Sequence, residues 1–485
     1  MINWRIISKI LGSLLLIEAF FMSWCMAMAF SFDEDDVMAF ILSTMLTFGS
    51  AFVFLYFGRD AENALSRRDA YVVVTATWIV FSVFGMLPFL THGSITNIAS
   101  AFFETMSGFT TTGVTIIDDV ERLPHAMLFW RSLMQWIGGL GIVFFTIALL
   151  PSLVGGSVKV FAAEATGPMR SKMHPRLSTN AKWIWSIYVL LTVACGISFW
   201  AAGMEWFDAT NYAMTTTATG GFSTHNGSTV FFHSITIEYL SILFQFLAGI
   251  NFTLLYLSLF KLRLGSVVRN GEFRLYLTIV LVATLWIMYL LVTRLHYGYE
   301  PAFRSALFQV VSFITTTGLS NDNAGFWPHT TWFILGFLMF TGACAGSTTG
   351  GFKCVRVSMI IKVLRNEFRK ILHPNAVLPV KLGGQSVPQD KLVSLLAFFT
   401  LYVVLVFFTM AIMIVNGIHF TNAATIALSL LSNVGAGLDT NIGPVMSWAD
   451  LSDGLKWLCA FLMLVGRLEI IAVLVLFTPS FWKKI

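Results

Sequence analysis

The chain has 485 residues, of which 56% are hydrophobic and only 11% charged. That is too apolar to fold around a water-soluble core, so a soluble enzyme is excluded and a bilayer protein expected. The net charge of +5 is an orientation signal and not a nucleic-acid footprint, because the basic residues cluster on one predicted side of the membrane.

A membrane span needs about 20 predominantly apolar residues. Ten candidates follow one another, at 7–30, 38–57, 70–91, 126–150, 182–203, 232–260, 275–297, 331–352, 392–416 and 456–480. An even number puts both termini on one side. The first run ends near Ala27-Met28-Ala29, a possible signal-peptide cleavage site. Its span length and the spans that follow favour an uncleaved helix. With Arg5 and Lys9 in the cytoplasm, alternation leaves only Arg122, Arg131, Arg294, Arg304, Lys456 and Arg467 off the inner face. The outer side carries Asp33-Glu34-Asp35-Asp36, Asp118-Asp119, Asp322 and Asp439, an acidic surface that concentrates cations. The five cysteines are scattered, and the nine histidines show no metal-ligand spacing.

After the first two spans, one pattern recurs four times: a span, a short apolar segment, a hydroxyl-rich loop around a glycine, and another span. The loops are Thr110-Thr111-Thr112-Gly113, Thr217-Ala218-Thr219-Gly220, Thr315-Thr316-Thr317-Gly318 and Ser432-Asn433-Val434-Gly435. Counted back from the glycines, Ala101, Phe103 and Ser107 of the first repeat match Ala306, Phe308 and Ser312 of the third, and Ala423 and Ser429 match more loosely in the fourth. This internal repeat divides the chain into a two-helix extension (1–69) and pore repeats at 70–180, 181–272, 273–390 and 391–485. The segments before the loops, such as Ser100 to Phe109 and Ala302 to Ile314, have the length of re-entrant helices and not of spans. Irregular backbone at membrane depth survives where it is buried in protein or lines a watery cavity.

Carbonyls that all face one axis need torsions that glycine enters at little steric cost. Small residues let four loops approach, and hydroxyls add oxygens at the inner end. Neutral oxygens can replace the water around potassium without a ring of carboxylates. Any one such loop could be an ordinary turn; four recurrences on the same predicted side point to a cation pore.

On these loops the chain resembles the Trk/Ktr/HKT superfamily of potassium transporters, in particular its bacterial TrkH-type uptake subunits, over nearly its whole length. The resemblance implies an all-α polytopic membrane protein: ten transmembrane helices plus four re-entrant pore helices, arranged as four pseudo-fourfold helix, pore helix, filter and helix repeats around one pore. It carries the filter glycines over to Gly113, Gly220, Gly318 and Gly435, and implies potassium ligands at Thr111, Thr112, Val114, Thr219, Gly220, Thr316, Thr317, Asn433 and Val434. The fourth loop departs from the threonine-rich pattern. One glycine per strand also implies a less exacting filter than the two-glycine filter of tetrameric potassium channels.

In the predicted span 331–352, Gly342-Ala343-Cys344-Ala345-Gly346-Ser347-Thr348-Thr349-Gly350-Gly351 is too rich in glycine and hydroxyl residues for a strong helix. It reads either as a close helix contact or as an unwound loop. The resemblance implies the second, an intramembrane loop that obstructs the cavity below the filter. It lacks the lysine of a phosphate loop. Arg467, near the middle of the last span, costs roughly 3 kcal/mol to insert. It is expected either to pair internally or to stand at the cavity and gate cations; Glu469 is two positions away and faces another side of a helix. The resemblance sets a basic residue at this place against the intramembrane loop. Gln135, Gln245 and Asn251 are expected to bond across helices, and Glu18 to be either a proton site or a helix-pairing group.

The basic stretch from Lys353 to Lys391, with Arg356, Lys362, Arg365, Arg369, Lys370 and Lys381, suits anionic lipid. The resemblance adds a cytoplasmic nucleotide-binding regulatory ring of TrkA type, and implies a homodimer with one pore per protomer in the bacterial inner membrane. No enzymatic constellation, resident cofactor or nucleic-acid partner is expected; the ion handled is transported potassium, with rubidium. Ion-coupled symport by alternating access is the competing transport reading, and a membrane scaffold the non-transport one.

Overall fold

The computed structural model describes residues 2–61, 65–141, 177–376, 378–383, 385–437 and 448–483. Apart from a hairpin of two-residue strands, Lys381–Leu382 and Gln385–Ser386, the regular structure is helical. Among the described residues, six helices are long and apolar enough to cross a membrane: Trp4–Phe32, Val37–Gly58, Arg67–His92, Ala181–Ala201, Gly271–Leu295 and Gln389–Val415. The count reaches eight if each of two bent pairs is one span. Lipid accounts for what water could not: Val37–Gly58 leaves Met38, Leu42, Met45, Phe52 and Phe57 exposed while its buried face packs on the first helix.

The bends correct two of the expected spans. Residues 232–260 are not one straight helix but Ile235–Ala248 and Phe252–Leu259, turned by 106°. Residues 456–480 turn by 112° between Asp453–Arg467 and Ile471–Phe477. At the first break Gly249 needs its bareness, since a Cβ there would lie 2.7 Å from the Tyr276 hydroxyl. At the second, Glu469 (φ 58°) and Ile470 (φ 44°) have positive φ, which non-glycine residues adopt only where the surroundings impose it. Of the expected span 126–150, His125–Gly139 is helical and residues beyond 141 lie outside the described residues, as does Asp439. The expected span 331–352 stops as a helix at Thr341.

Between the long helices sit four short ones: Ile98–Phe109, Trp206–Ala218, Tyr299–Ile314 and Phe420–Ser432. The first starts where the Asn97 side chain accepts from Ser100 N–H at 3.1 Å, satisfying one of the unpaired donors of a helix start. Each is followed by a helix that packs on it: His125–Gly139, Ile235–Ala248, His329–Thr341 and Asp453–Arg467. Contact at the loop end is backbone to backbone. A Cβ on Gly138 would fall 1.8 Å from the Phe109 carbonyl oxygen, and one on Gly466 2.4 Å from that of Leu431. These two glycines let the following helix lie directly against the end of the short one.

Candidate functional site: four loops and the segment beneath them

The four short helices run into four loops with one backbone. Thr111, Thr219, Thr316 and Asn433 have φ between 54° and 55°. Two residues on, Gly113, Gly221, Gly318 and Gly435 have φ between 77° and 82°. The bonds that hold the turn repeat as well. Thr112, Gly220, Thr317 and Val434 N–H each donate 2.9 Å back to the carbonyls of Ser107, Thr215, Ser312 and Ser429.

This register corrects the sequence assignment in the second repeat. The glycine matching Gly113, Gly318 and Gly435 is Gly221 and not Gly220, so the second loop is Ala218-Thr219-Gly220-Gly221. Thr217 belongs to the last turn of the helix. With Gly221 as reference, Ala209 falls at the offset of Ala101, Ala306 and Ala423, all at most 2% exposed, and Thr215 falls at the offset of the three serines. Those two residues were the signal that resolves the doubled glycine.

The loops meet in cyclic order. A Cβ on Gly113 would lie 2.0 Å from the Gly220 oxygen, one on Gly221 2.0 Å from that of Thr317, one on Gly318 2.3 Å from that of Val434, and one on Gly435 2.0 Å from that of Thr112. First touches second, second third, third fourth, and fourth first. Positive φ and the neighbouring carbonyl independently demand glycine at each of these positions.

Four of the expected hydroxyls, on Thr110, Thr112, Thr315 and Thr317, are engaged within the loops. Thr110 Oγ1 is bonded to the Met106 carbonyl (2.6 Å) and paired with Thr112 Oγ1 (2.7 Å). Thr315 is bonded to Val311 (2.7 Å) and paired with Thr317 (2.8 Å). A hydroxyl so engaged braces the loop. Val114, expected as an ion ligand, accepts from the Ser107 hydroxyl at 2.6 Å, as Leu319 accepts from Ser312 at 2.6 Å. In the fourth loop Ser432 pairs with the Tyr402 hydroxyl (2.7 Å), and Asn433 donates to Thr112 Oγ1 (2.9 Å) and to the Met463 carbonyl (2.9 Å).

Beside the first two loops, Arg131 and Glu104, 1% and 0% exposed, form an ion pair of 3.0 Å. Glu104 also accepts from Thr115 (3.0 Å) and Ile116 N–H (3.0 Å), while Arg131 donates to the Ser223 carbonyl (3.1 Å). A buried pair so fully bonded is costly to break from one side, roughly 3–5 kcal/mol. Arg131, an exception to the positive-inside pattern, is thus the partner of a carboxylate that sequence reasoning passed over. Above it, Asn226 donates to Asp119 at 2.8 Å, which holds that carboxyl below its ordinary range.

Beneath the loops, residues 342–353 are irregular, with Gly342, Gly346 and Gly351 at positive φ. The segment touches the third and fourth loops and the end of the second short helix. Thr348 Oγ1 donates to the Thr217 carbonyl (3.1 Å), Gly350 N–H to Thr316 Oγ1 (2.7 Å), and a Cβ on Gly350 would fall 2.1 Å from the Ser432 oxygen. Ser347 and Thr349 pair through their hydroxyls at 2.8 Å. Arg467 spans the remaining distance, donating to the Thr348 carbonyl (3.0 Å) and to those of Gly138 (2.6 Å) and Gly139 (2.7 Å). This arginine is therefore set against the segment, as the resemblance implied. Glu469 pairs instead with Arg356 at 2.7 Å.

Further side chains that sequence reasoning did not connect hold the segment. Asn251 donates to the Ala345 carbonyl (2.6 Å) and Glu272 accepts from Ala345 N–H (2.6 Å). Lys353 is buried and bonds Thr349 through its carbonyl and its hydroxyl. The basic surface is accordingly smaller than expected: Lys353 and Arg356 are buried, Arg356 lying 4.3 Å over the Phe398 ring, and neither faces lipid headgroups. Glu18 is fully buried against Gly85, and its two oxygens have no hydrogen-bond partner among the described residues.

The chain is similar to known proteins over its whole length. The family model of TrkH, a cation transport protein, matches residues 37–484. The Trk system potassium uptake protein TrkH of Salmonella typhimurium is 36% identical, covering 99% of this chain and 100% of that one. The protein of the same description from Halomonas elongata is 36% identical over 99% of both. The crystal structure of the potassium transporter TrkH from Vibrio parahaemolyticus superposes with a TM-score of 0.90 at 33% identity, covering 99% of this chain and 100% of that one. With its many apolar helices and a family match over most of its length, the chain belongs to the TrkH family of cation transport proteins.

Proposed function

We propose that this protein carries potassium, and with it rubidium, into a bacterial cell through a gated, channel-like pore in the inner membrane. The observation that carries this reading is the cyclic contact of the four loops, each with its glycine against a neighbour's carbonyl. Rings of backbone oxygen replace the hydration shell of a large monovalent cation at little cost. The chain then has four pseudo-fourfold repeats, at 70–180, 181–272, 273–390 and 391–485 behind the extension 1–69, with ten crossings in all, four re-entrant helices and both termini in the cytoplasm. Positions 110–113, 218–221, 315–318 and 432–435 form the filter, and 342–353 with Arg467 the gate. Inward flow follows the gradient, since a negative-inside potential of about 100 mV favours entry by about 2.3 kcal/mol per charge.

The protein is read as a homodimer whose cytoplasmic face meets a nucleotide-binding ring of TrkA type; the names of its relatives, components of a Trk system, support a multi-component assembly. Four loops in one ring favour a pore over alternating access between two inverted halves, which remains the competing mechanism. The test is cation flux into liposomes holding the purified protein, with potassium, rubidium, sodium and a large organic cation compared. Selective uptake that Gly318→Ser abolishes is the expected result; equal uptake of all four ions, or none, contradicts it.

A further inference from the structure

The four loops are not braced alike. In the first and third, the residues at the first and third positions are both threonine, and their hydroxyls pair at 2.7 Å and 2.8 Å. In the second loop those positions are Ala218 and Gly220, so no such pair can form. Without a brace, two adjacent glycines would make this the most pliable of the four.

Another part of the chain supplies the missing brace. Gln135, on helix His125–Gly139 of the first repeat, is fully buried. Its Nε2 donates to the Gly220 carbonyl at 2.7 Å, and its Oε1 accepts from Phe222 N–H at 3.0 Å. One carboxamide therefore ties together the peptide groups on either side of Gly221. The space it occupies is the space a threonine would need, for a Cβ on Gly220 would lie 2.4 Å from the Gln135 carboxamide carbon. Four residues earlier on the same helix face, Arg131 donates to the Ser223 carbonyl at 3.1 Å and lies 4.2 Å over the Phe222 ring. The stretch from Gly220 to Ser223 is thus held from outside its own repeat.

We infer that Gln135 is a selectivity-positioning residue: it does from the neighbouring repeat, for the second loop, what the threonine pair does within the first and third. This rests on the proposed pore. A brace acts on where the Gly220 carbonyl points, so its removal changes discrimination between ions more than total passage.

The test is the potassium-to-sodium flux ratio in liposomes for the full-length protein, for Gln135→Met, for Gln245→Met and for the triple variant Gln135→Ala/Ala218→Thr/Gly220→Thr. Gln135→Met keeps the volume and loses both hydrogen bonds; at roughly a few-fold in equilibrium per neutral bond lost, the ratio should fall about five- to tenfold, with potassium flux within about twofold of the parent. Gln245 lies on the corresponding helix of the next repeat and bonds no loop residue among the hydrogen bonds described, so its variant should keep the parental ratio. The triple variant rebuilds the hydroxyl pair in the space vacated and should recover at least half of the loss. If Gln135→Met does not assemble, Gln135→Glu carries the test, since it keeps the acceptor for Phe222 and loses the donor to Gly220. An unchanged ratio in Gln135→Met, or an equal fall in Gln245→Met, overturns the inference while leaving the pore intact. A parent protein that moves no cation selectively overturns the pore reading itself.

Discussion

Two regions of non-helical backbone, the four loops and the segment beneath them, both rest on backbone contacts but differ in how far they rely on distant side chains. The ring of loops is fixed mainly by short-range contacts: each loop bonds back to its own helix, and each glycine is closed in by a neighbour's backbone oxygen. Segment 342–353 is held by backbone bonds to Gly249 and Phe252 and, in addition, by side chains that reach in from elsewhere, Arg467 onto Thr348, and Glu272 and Asn251 onto Ala345. A backbone packed on backbone yields only if the fold yields. A contact made by the far end of a side chain is broken by rotating a few torsions. On the proposed function, that difference leaves the ring to keep its shape and the segment to be released.

The comparison breaks most readily at the ring. Gly435→Ala sets a methyl 2.0 Å from the Thr112 oxygen on backbone that disfavours a side chain, and should lower selective potassium uptake in liposomes by about tenfold or more, with the protein still extracted and monodisperse. At the proposed gate the sign should reverse. Arg467→Ala removes three hydrogen bonds that tie the segment to the first repeat, and basal flux without any cytoplasmic partner should rise several-fold, since a hydrogen bond to a charged group contributes about 1.5–3 kcal/mol. A fall in flux with normal assembly would move Arg467 from gate to scaffold.

Glu272 sharpens the contrast. It sits in the first turn of helix Gly271–Leu295 and accepts from Ala345 N–H. Glu272→Leu should raise basal flux by about two- to threefold, less than Arg467→Ala because one bond is lost and not three. Glu272→Gln, which keeps an acceptor oxygen, should stay near the parent. Equal leak from both would show that charge and not the hydrogen bond holds the segment.

The smallest effect lies far from both regions, in the turn before helix Val37–Gly58. Burial, helped by Glu34, raises the Asp36 carboxyl to about 6 from its ordinary 3.8. A carboxyl raised in the folded state binds its proton more tightly there than in the unfolded chain. Its cost to stability is therefore absent below about 3.8 and grows as pH rises to about 6. Asp36→Asn should leave the melting temperature unchanged near pH 4 and raise it by about a degree or two at pH 8. A larger gain at the acid end would contradict the assignment.

Much of this arrangement was legible in the chain, for reasons that also mark where reading stops. The loops announce themselves because positive φ restricts the choice of residue, so Gly113, Gly318 and Gly435 stand out from apolar surroundings. The second loop slipped by one because Gly220 and Gly221 are adjacent and either could take that backbone. Only Ala209 and Thr215, at helix offsets shared with the other repeats, decide it. The unwound segment was legible from its glycines and hydroxyls, and Arg467 from the cost of its charge. The braces were not: Gln135 lies 85 positions from Gly220 and Glu272 73 from Ala345, and a polar side chain in an apolar helix says that it has a partner without saying which. The bends at 249–251 and 468–470 were missed because a hydropathy window continues across a corner as easily as along a straight helix.

The central claim, that the four loops form one ion-selective ring, is tested most directly by a crystal structure of the protein grown in rubidium, with data collected at the rubidium absorption edge. The account predicts anomalous peaks on the axis enclosed by residues 110–113, 218–221, 315–318 and 432–435, lost when the crystals are grown in sodium alone. Rubidium bound elsewhere with no peak inside that ring would contradict it.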